Sequence, residues 1–155
     1  MTEVSMIDSN VISLILNSLE STGGNAKSTL DELVKLIVEI SHESEDLKDE
    51  LNLYDDMFFH IYIHDIDYNI WIKKVGAKLT FNTSYYENVP EEMKIIHFIL
   101  SKKVFKRIFT QRLDATDSFM RGLVKIQGNL SDGIIIRNLL KIFFQYINYY
   151  LTNHI

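Results

Sequence analysis

The sequence predicts an α+β fold: a five-stranded, mainly antiparallel sheet with helices packed on one side. Three observations lead there. Apolar residues recur at helical spacing over about the first 40 residues, change to a period of two between residues 58 and 83, and return to helical spacing after residue 101. Turn residues interrupt the period-two runs at 65–67 and 75–76, which suits a three-stranded meander. Between Gly122 and Gly128 the run 123–127 alternates again, giving a short last strand directly ahead of a long apolar helix.

The elements follow in order. Val4, Ile7, Val11, Leu14, Ile15 and Leu19 are spaced for one helix face, and Gly23-Gly24 ends that pattern. Ser28 or Thr29 is placed to cap a second helix, with Asp31 and Glu32 in its first turn and Leu30, Leu33, Val34, Ile37 and Ile40 on its buried face. Glu39, Glu43, Glu45, Asp46, Asp49 and Glu50 then read as a solvated acidic tail. In the first strand Phe59, Ile61 and Ile63 share one side, and Phe58, His60, Tyr62 and His64 the other. Residues 68–74 and 77–83 return as strands, 84–92 form a loop broken by Pro90, and 94–100 is apolar on both faces, as in a central strand covered on two sides. Ser101 caps a helix with Val104, Phe105, Ile108 and Phe109 on one arc and Lys102, Lys103, Lys106 and Arg107 on the opposite one. Asp114, with Asp117 three positions on, starts a further short turn in capping-box style. Gly122 ends that turn, and Gly128, Asn129 and Ser131 supply a turn and N-cap for the last helix.

Composition narrows the function. The 155 residues, 46% of them hydrophobic and one a proline, read as a single domain, with 1–56 a helical arm and 57–155 the sheet-and-helix body. Residues 1–56 carry 13 Asp/Glu and 3 Lys, whereas residues 57–155 carry 8 acidic and 13 basic residues, so an arm at −10 precedes a body at +5. A net acidic chain whose cations cluster on one short helix is a poor nucleic-acid binder. The lack of cysteine removes disulfides and thiolate chemistry. Glu3, Asp8 and Glu20 argue against a secretory leader, Arg137 and Lys141 interrupt the most apolar segment before it can span a bilayer, and the chain is placed in the cytoplasm.

Catalytic patterns are missing. The sequence has no G-x-S-x-G, no P-loop, no H-E-x-x-H and no dinucleotide fingerprint, and Asp55, Asp56, Asp65 and Asp67 fit turn and cap duties. His60 and His64 share a strand face, but four residues along a strand separate them by about 13 Å, too far to grip one ion, and His97 would have to come beside one of them. No metal, cofactor or enzyme activity is predicted.

The last helix carries the case for a ligand. Arg137, Asn138, Lys141, Gln145 and Asn148 fall within an arc of about 100°, and the rest of residues 135–151 is apolar or tyrosine. Ile136, Leu139, Leu140, Phe143, Phe144, Ile147 and Tyr150 therefore need cover, from the sheet, the N-terminal helices, a second subunit or a lipid.

Residues 118–140, SFMRGLVKIQGNLSDGIIIRNLL, place Phe119, Gly122, Lys125, Gly128 and Asn129 ahead of that helix. This run resembles the C-terminal signature of the sterol carrier protein type 2 family, and the likeness extends upstream to about Met57. The resemblance implies a non-catalytic lipid carrier with an apolar tunnel between the sheet and the C-terminal helix. By position, Leu139, Leu140, Phe143 and Phe144 would form its wall, Trp71, Phe81 and Phe98 would line it from below, and Phe109, Met120, Ile136 and Ile147 complete the set. Lys102, Lys103, Lys106 and Arg107 would hold an anionic head group or touch an anionic membrane transiently. The cargo would be a fatty acid, acyl thioester, isoprenoid or phospholipid; a sixteen-carbon tail gains roughly 10 kcal/mol on burial before ordering costs. The alternative is a homodimerising module with a filled core. Two features depart from the family: the chain ends Asn153-His154-Ile155 without a peroxisomal tripeptide, and the extra N-terminal helices can plug the cavity.

Overall fold

The period-two segments pair into one sheet of order β3-β2-β1-β4-β5 in the computed structural model, which describes residues 9–20, 26–83, 92–128 and 133–153. Its strands are β1 (Met57–Ile63), β2 (Tyr68–Val75), β3 (Lys78–Asn82), β4 (Lys94–Leu100) and β5 (Lys125–Gln127). The helices are α1 (Ser9–Glu20), α2 (Ala26–Glu43), α3 (Glu45–Leu51), α4 (Lys102–Phe109), α5 (Ala115–Met120) and α6 (Gly133–Asn153). β1 with β2, β2 with β3 and β4 with β5 are antiparallel, and β1 with β4 is the parallel pair.

Register assigns the faces. Phe59, Ile61 and Ile63 lie beside Ile72, Ile70 and Tyr68 on one flank and Ile96, Phe98 and Leu100 on the other, and this apolar layer meets the helices. Phe58, His60, Tyr62, Trp71 and His97 occupy the far face, where His60 stacks on Trp71 with ring centroids 4.0 Å apart. β4 lies inside the sheet, yet it is not covered equally on both sides. Ile96, Phe98 and Leu100 are buried while Ile95, His97 and Ile99 are half-buried.

Local chemistry explains the helix starts. The Ser101 hydroxyl accepts the Val104 N–H at 3.2 Å and the Asp114 carboxylate accepts the Asp117 N–H at 3.0 Å, so both predicted caps form. The Asp117 carboxylate does not complete a capping box; it lies 3.4 Å from Arg121 Nη1. α2 starts at Ala26, which puts Ser28 and Thr29 inside its first turn rather than at its cap. Gly122, at φ +73, ends α5 in the left-handed conformation that favours glycine. The turn and cap predicted at Asn129 and Ser131 lie outside the described residues.

The acidic run after α2 forms a helix, not a tail. Ser44 is extended, its hydroxyl accepts the Leu47 N–H at 3.2 Å, and Glu45 and Asp46 stand in the first turn of α3, where negative charge suits the dipole. Leu47 and Leu51 are buried beneath it. Tyr54 then joins α3 to α6: its hydroxyl donates to Glu50 Oε1 at 2.6 Å and accepts from Asn138 Nδ2 at 3.2 Å. Lys74, fully buried, donates to the Tyr54 carbonyl at 2.7 Å with Asp56 3.8 Å away.

α6 buries Ile135, Leu139, Phe143 and Ile147, a stripe at four-residue spacing, and packs against α1, α2 and α3. Much of the cover that the sequence left open thus comes from the N-terminal helices. No helix among the described residues is long and apolar enough to cross a membrane.

Candidate ligand-binding site

Between the sheet and α4, α5 and α6 the structure leaves a cavity of about 60 Å³, lined among the described residues by apolar side chains alone. Ile61, Phe98 and Leu100 form its floor, pointing up from β1 and β4 because they share the helix-facing parity of those strands. Phe105, Ile108 and Phe109 come from the apolar arc of α4, the helix that Ser101 caps. Ala115 and Phe119 of α5, with Val124, close one side, and Ile136 and Leu140 of α6 close the other. The rings interlock: Phe98 stacks with Phe119 at 6.3 Å, and Phe105 with Phe109 at 4.5 Å. Phe109 also meets Phe143 and Phe144 edge-on at 6.2 and 5.9 Å.

This is far less than a tunnel. Pockets for small molecules typically run about 300–1,000 Å³, so this cavity has room for one or two waters and none for an acyl chain in this conformation.

A larger, open cleft of about 520 Å³ adjoins it, and Ile108, Ala115 and Leu140 line both. One wall is the α4–α5 connection, the other the polar face of α6 with Arg137, Asn138, Lys141, Gln145 and Asn148. Gln111 and Asn148 clasp the walls together through reciprocal amide hydrogen bonds of 2.8 and 3.0 Å. Gln111, the residue after the α4 C-cap Thr110, has φ +61, the left-handed conformation that ends a helix. A groove of about 370 Å³ is lined by Asp65, Lys102, Lys103, Lys106, Arg107, Thr110 and Arg112; it shares Arg112 with the cleft and no residue with the cavity.

The predicted lining divides accordingly. Phe98, Phe109, Ile136 and Leu140 meet at the cavity. Leu139, Phe143 and Ile147 belong to the buried stripe of α6 and do not line it, and Phe144 lines the open cleft instead. Phe81 sits half-buried on the edge strand β3, also outside the cavity. Trp71 is on the opposite face of the sheet, because it pairs with His60 rather than sharing the parity of Ile70 and Ile72. Met120, at 84% exposed, ends α5 in solvent. Sequence reasoning missed Ile61, Leu100, Ala115 and Val124 as lining; Phe105 and Ile108 were visible as a buried arc, and Phe119 as part of the signature run.

On the far face His97 does come beside His60, their Nδ1 atoms 2.8 Å apart, with Asn69 Oδ1 2.7 Å from His60 Nε2. Burial lowers the pKa of both imidazoles. Among the described residues no three His, Asp or Glu side chains come together as a metal site would need. Burial raises Tyr146, which donates to Glu43 Oε2 at 3.2 Å and neighbours Tyr150, far above the ordinary phenol range.

Comparison with known proteins agrees with this architecture. No curated protein matches the chain by sequence. Among solved structures it superposes on the ubiquinone synthesis protein UbiJ with a TM-score of 0.54 at 12% identity, covering 70% of this chain and 89% of that one. It superposes on sterol carrier protein-2 like-3 from Aedes aegypti with a TM-score of 0.53 at 11% identity, covering 72% and 96%. A double mutant of the sec-alkyl sulfatase PisA1 gives 0.53 at 18% identity over 68% of this chain, which spans only 15% of that enzyme. At such identities these likenesses speak to the fold. The sequence itself matches the SCP-2 sterol transfer family over residues 37–141, from the middle of α2 to the middle of α6. That match covers more than half of the protein, and the chain belongs to the SCP-2 sterol transfer family.

Proposed function

We propose that the protein binds a hydrophobic ligand without catalysis, in the apolar cavity beneath α4, α5 and α6, and passes it between membranes or partners. The observation that carries this reading is the lining: among the described residues eleven side chains, all apolar, surround the void, and it adjoins an open cleft through Ile108, Ala115 and Leu140. Family membership supports lipid binding and transfer in general. The cavity of about 60 Å³ is then the empty, collapsed state, and an entering chain must part α6 from α4 and α5. Burial of methylenes at about 0.8 kcal/mol each supplies the free energy for that opening. The basic groove from Lys102 to Arg107 is the surface that meets an anionic bilayer during transfer.

Native mass spectrometry of gently purified protein, with displacement of a fluorescent fatty acid, tests the reading. Retained lipid or exchange at micromolar concentration is expected, and the absence of both overturns it.

The small void also favours a second reading, a homodimerising module with a filled core. Sedimentation distinguishes them: a tight dimer that takes up no lipid fits the second, and a monomer that exchanges lipid fits the first.

A further inference from the structure

The open cleft beside the cavity carries an asymmetry of charge. Arg112 lines one wall, Arg137 and Lys141 the other, and Asp114, already accepting the Asp117 N–H, is the one acid among the described residues of its lining. Arg137 and Lys141 are four residues apart on α6, so their side chains rise from the same face, where like charges disfavour the helix. Both are exposed, and neither has an ion-pair partner among the described residues. The Gln111–Asn148 clasp holds the loop that bears Arg112 against that same face of α6.

We propose that Arg112, Arg137 and Lys141 form the head-group site for an anionic, single-chain amphiphile whose tail enters the neighbouring cavity; this rests on the lipid-binding reading above. The apolar floor of the cleft, Ile108, Leu113, Leu140 and Phe144, limits screening of an anion held over it. Guanidinium groups fit carboxylate and phosphate oxygens in pairs, so either head group suits the site, and an alcohol does not. Continuity selects a tailed ligand over a free anion, since the cleft and the cavity share Ile108, Ala115 and Leu140. The stripe Lys102, Lys103, Lys106 and Arg107 lines a groove that shares Arg112 with the cleft but no residue with the cavity, so Arg112, Arg137 and Lys141 stand nearer the entry for a tail.

The test is displacement of cis-parinaric acid by palmitate, hexadecyl phosphate, hexadecanol and inorganic phosphate, on the full chain. Palmitate and hexadecyl phosphate are expected to compete about tenfold better than hexadecanol, the scale of one charge-assisted contact, and inorganic phosphate not at all. The Arg137→Gln/Lys141→Gln variant, whose substituted side chains are exposed, should bind hexadecanol as the parent does and lose the preference for the anionic chains. Lys102→Gln/Lys103→Gln should keep it. Equal competition by palmitate and hexadecanol in the parent overturns the head-group site while leaving lipid binding intact. Displacement by inorganic phosphate at the concentration that works for hexadecyl phosphate overturns the tailed ligand. If no chain binds, the functional reading fails and the site with it.

Discussion

His60 and His97 meet across the parallel pair β1–β4 with their Nδ1 atoms 2.8 Å apart, a contact that needs one proton and tolerates only one. Asn69 presents Oδ1 to His60 Nε2, so His60 carries its proton there, and its Nδ1 accepts from His97. Both rings are neutral in that arrangement.

A pH dependence of stability follows. Burial lowers both folded-state pKa values below the ordinary 6.5, so the unfolded chain takes up protons first as pH falls. The stability contributed by the pair is complete above about pH 6.5 and is lost as pH drops through the folded values. Urea midpoints should decline between about pH 7.5 and 5.5, and a His97→Gln variant should show a flatter profile. A parent midpoint that does not move over that interval contradicts the arrangement.

The cap of α3 can be weighed separately. Ser44→Ala removes the acceptor for the Leu47 N–H and should lower stability by about 1 kcal/mol, read from urea unfolding with an unchanged slope.

Filling the cavity separates fold from ligand. Ala115→Leu puts a branched side chain into the void, costs about 1–3 kcal/mol from overpacking, and should abolish displacement of a fluorescent fatty acid while circular dichroism stays native. Retained binding would place the ligand elsewhere.

The amide clasp should govern exchange. Asn148→Ala deletes both hydrogen bonds to Gln111, lowers stability by about 0.5–1.5 kcal/mol, and should speed ligand entry in stopped-flow mixing, because the two walls of the cleft beside the cavity are less restrained.

Membrane contact is predicted to be electrostatic. Co-sedimentation with vesicles containing phosphatidylserine should weaken with salt and fall in Lys102→Glu/Lys106→Glu, and neutral vesicles should retain little protein.

Local signals made most of the fold legible. Ser101 and Asp114 cap helices as their spacing predicts, and the alternation of residues 58–83 gives the meander. The same parity, counted through Ile70, Trp71 and Ile72, puts Trp71 on the far face, whereas bulk alone does not say which side of a sheet a ring occupies. Ser44 followed by two acids was a readable start for α3, hidden inside a run of charge. The site was harder. Which arc of α6 meets the N-terminal helices, and whether Phe105, Phe109 and Phe119 leave a void between them, depend on long-range packing that periodicity does not encode.

Ile61 and Phe98 sit side by side across the β1–β4 seam, and both form the cavity floor. Partners along that seam stand 37 residues apart, so the β1–β2–β3 meander can assemble on local pairings before β4 arrives to finish the floor. On that order the cavity floor closes late, and a nascent or partly unfolded chain then exposes the apolar side chains of β1 before β4 pairs beside them.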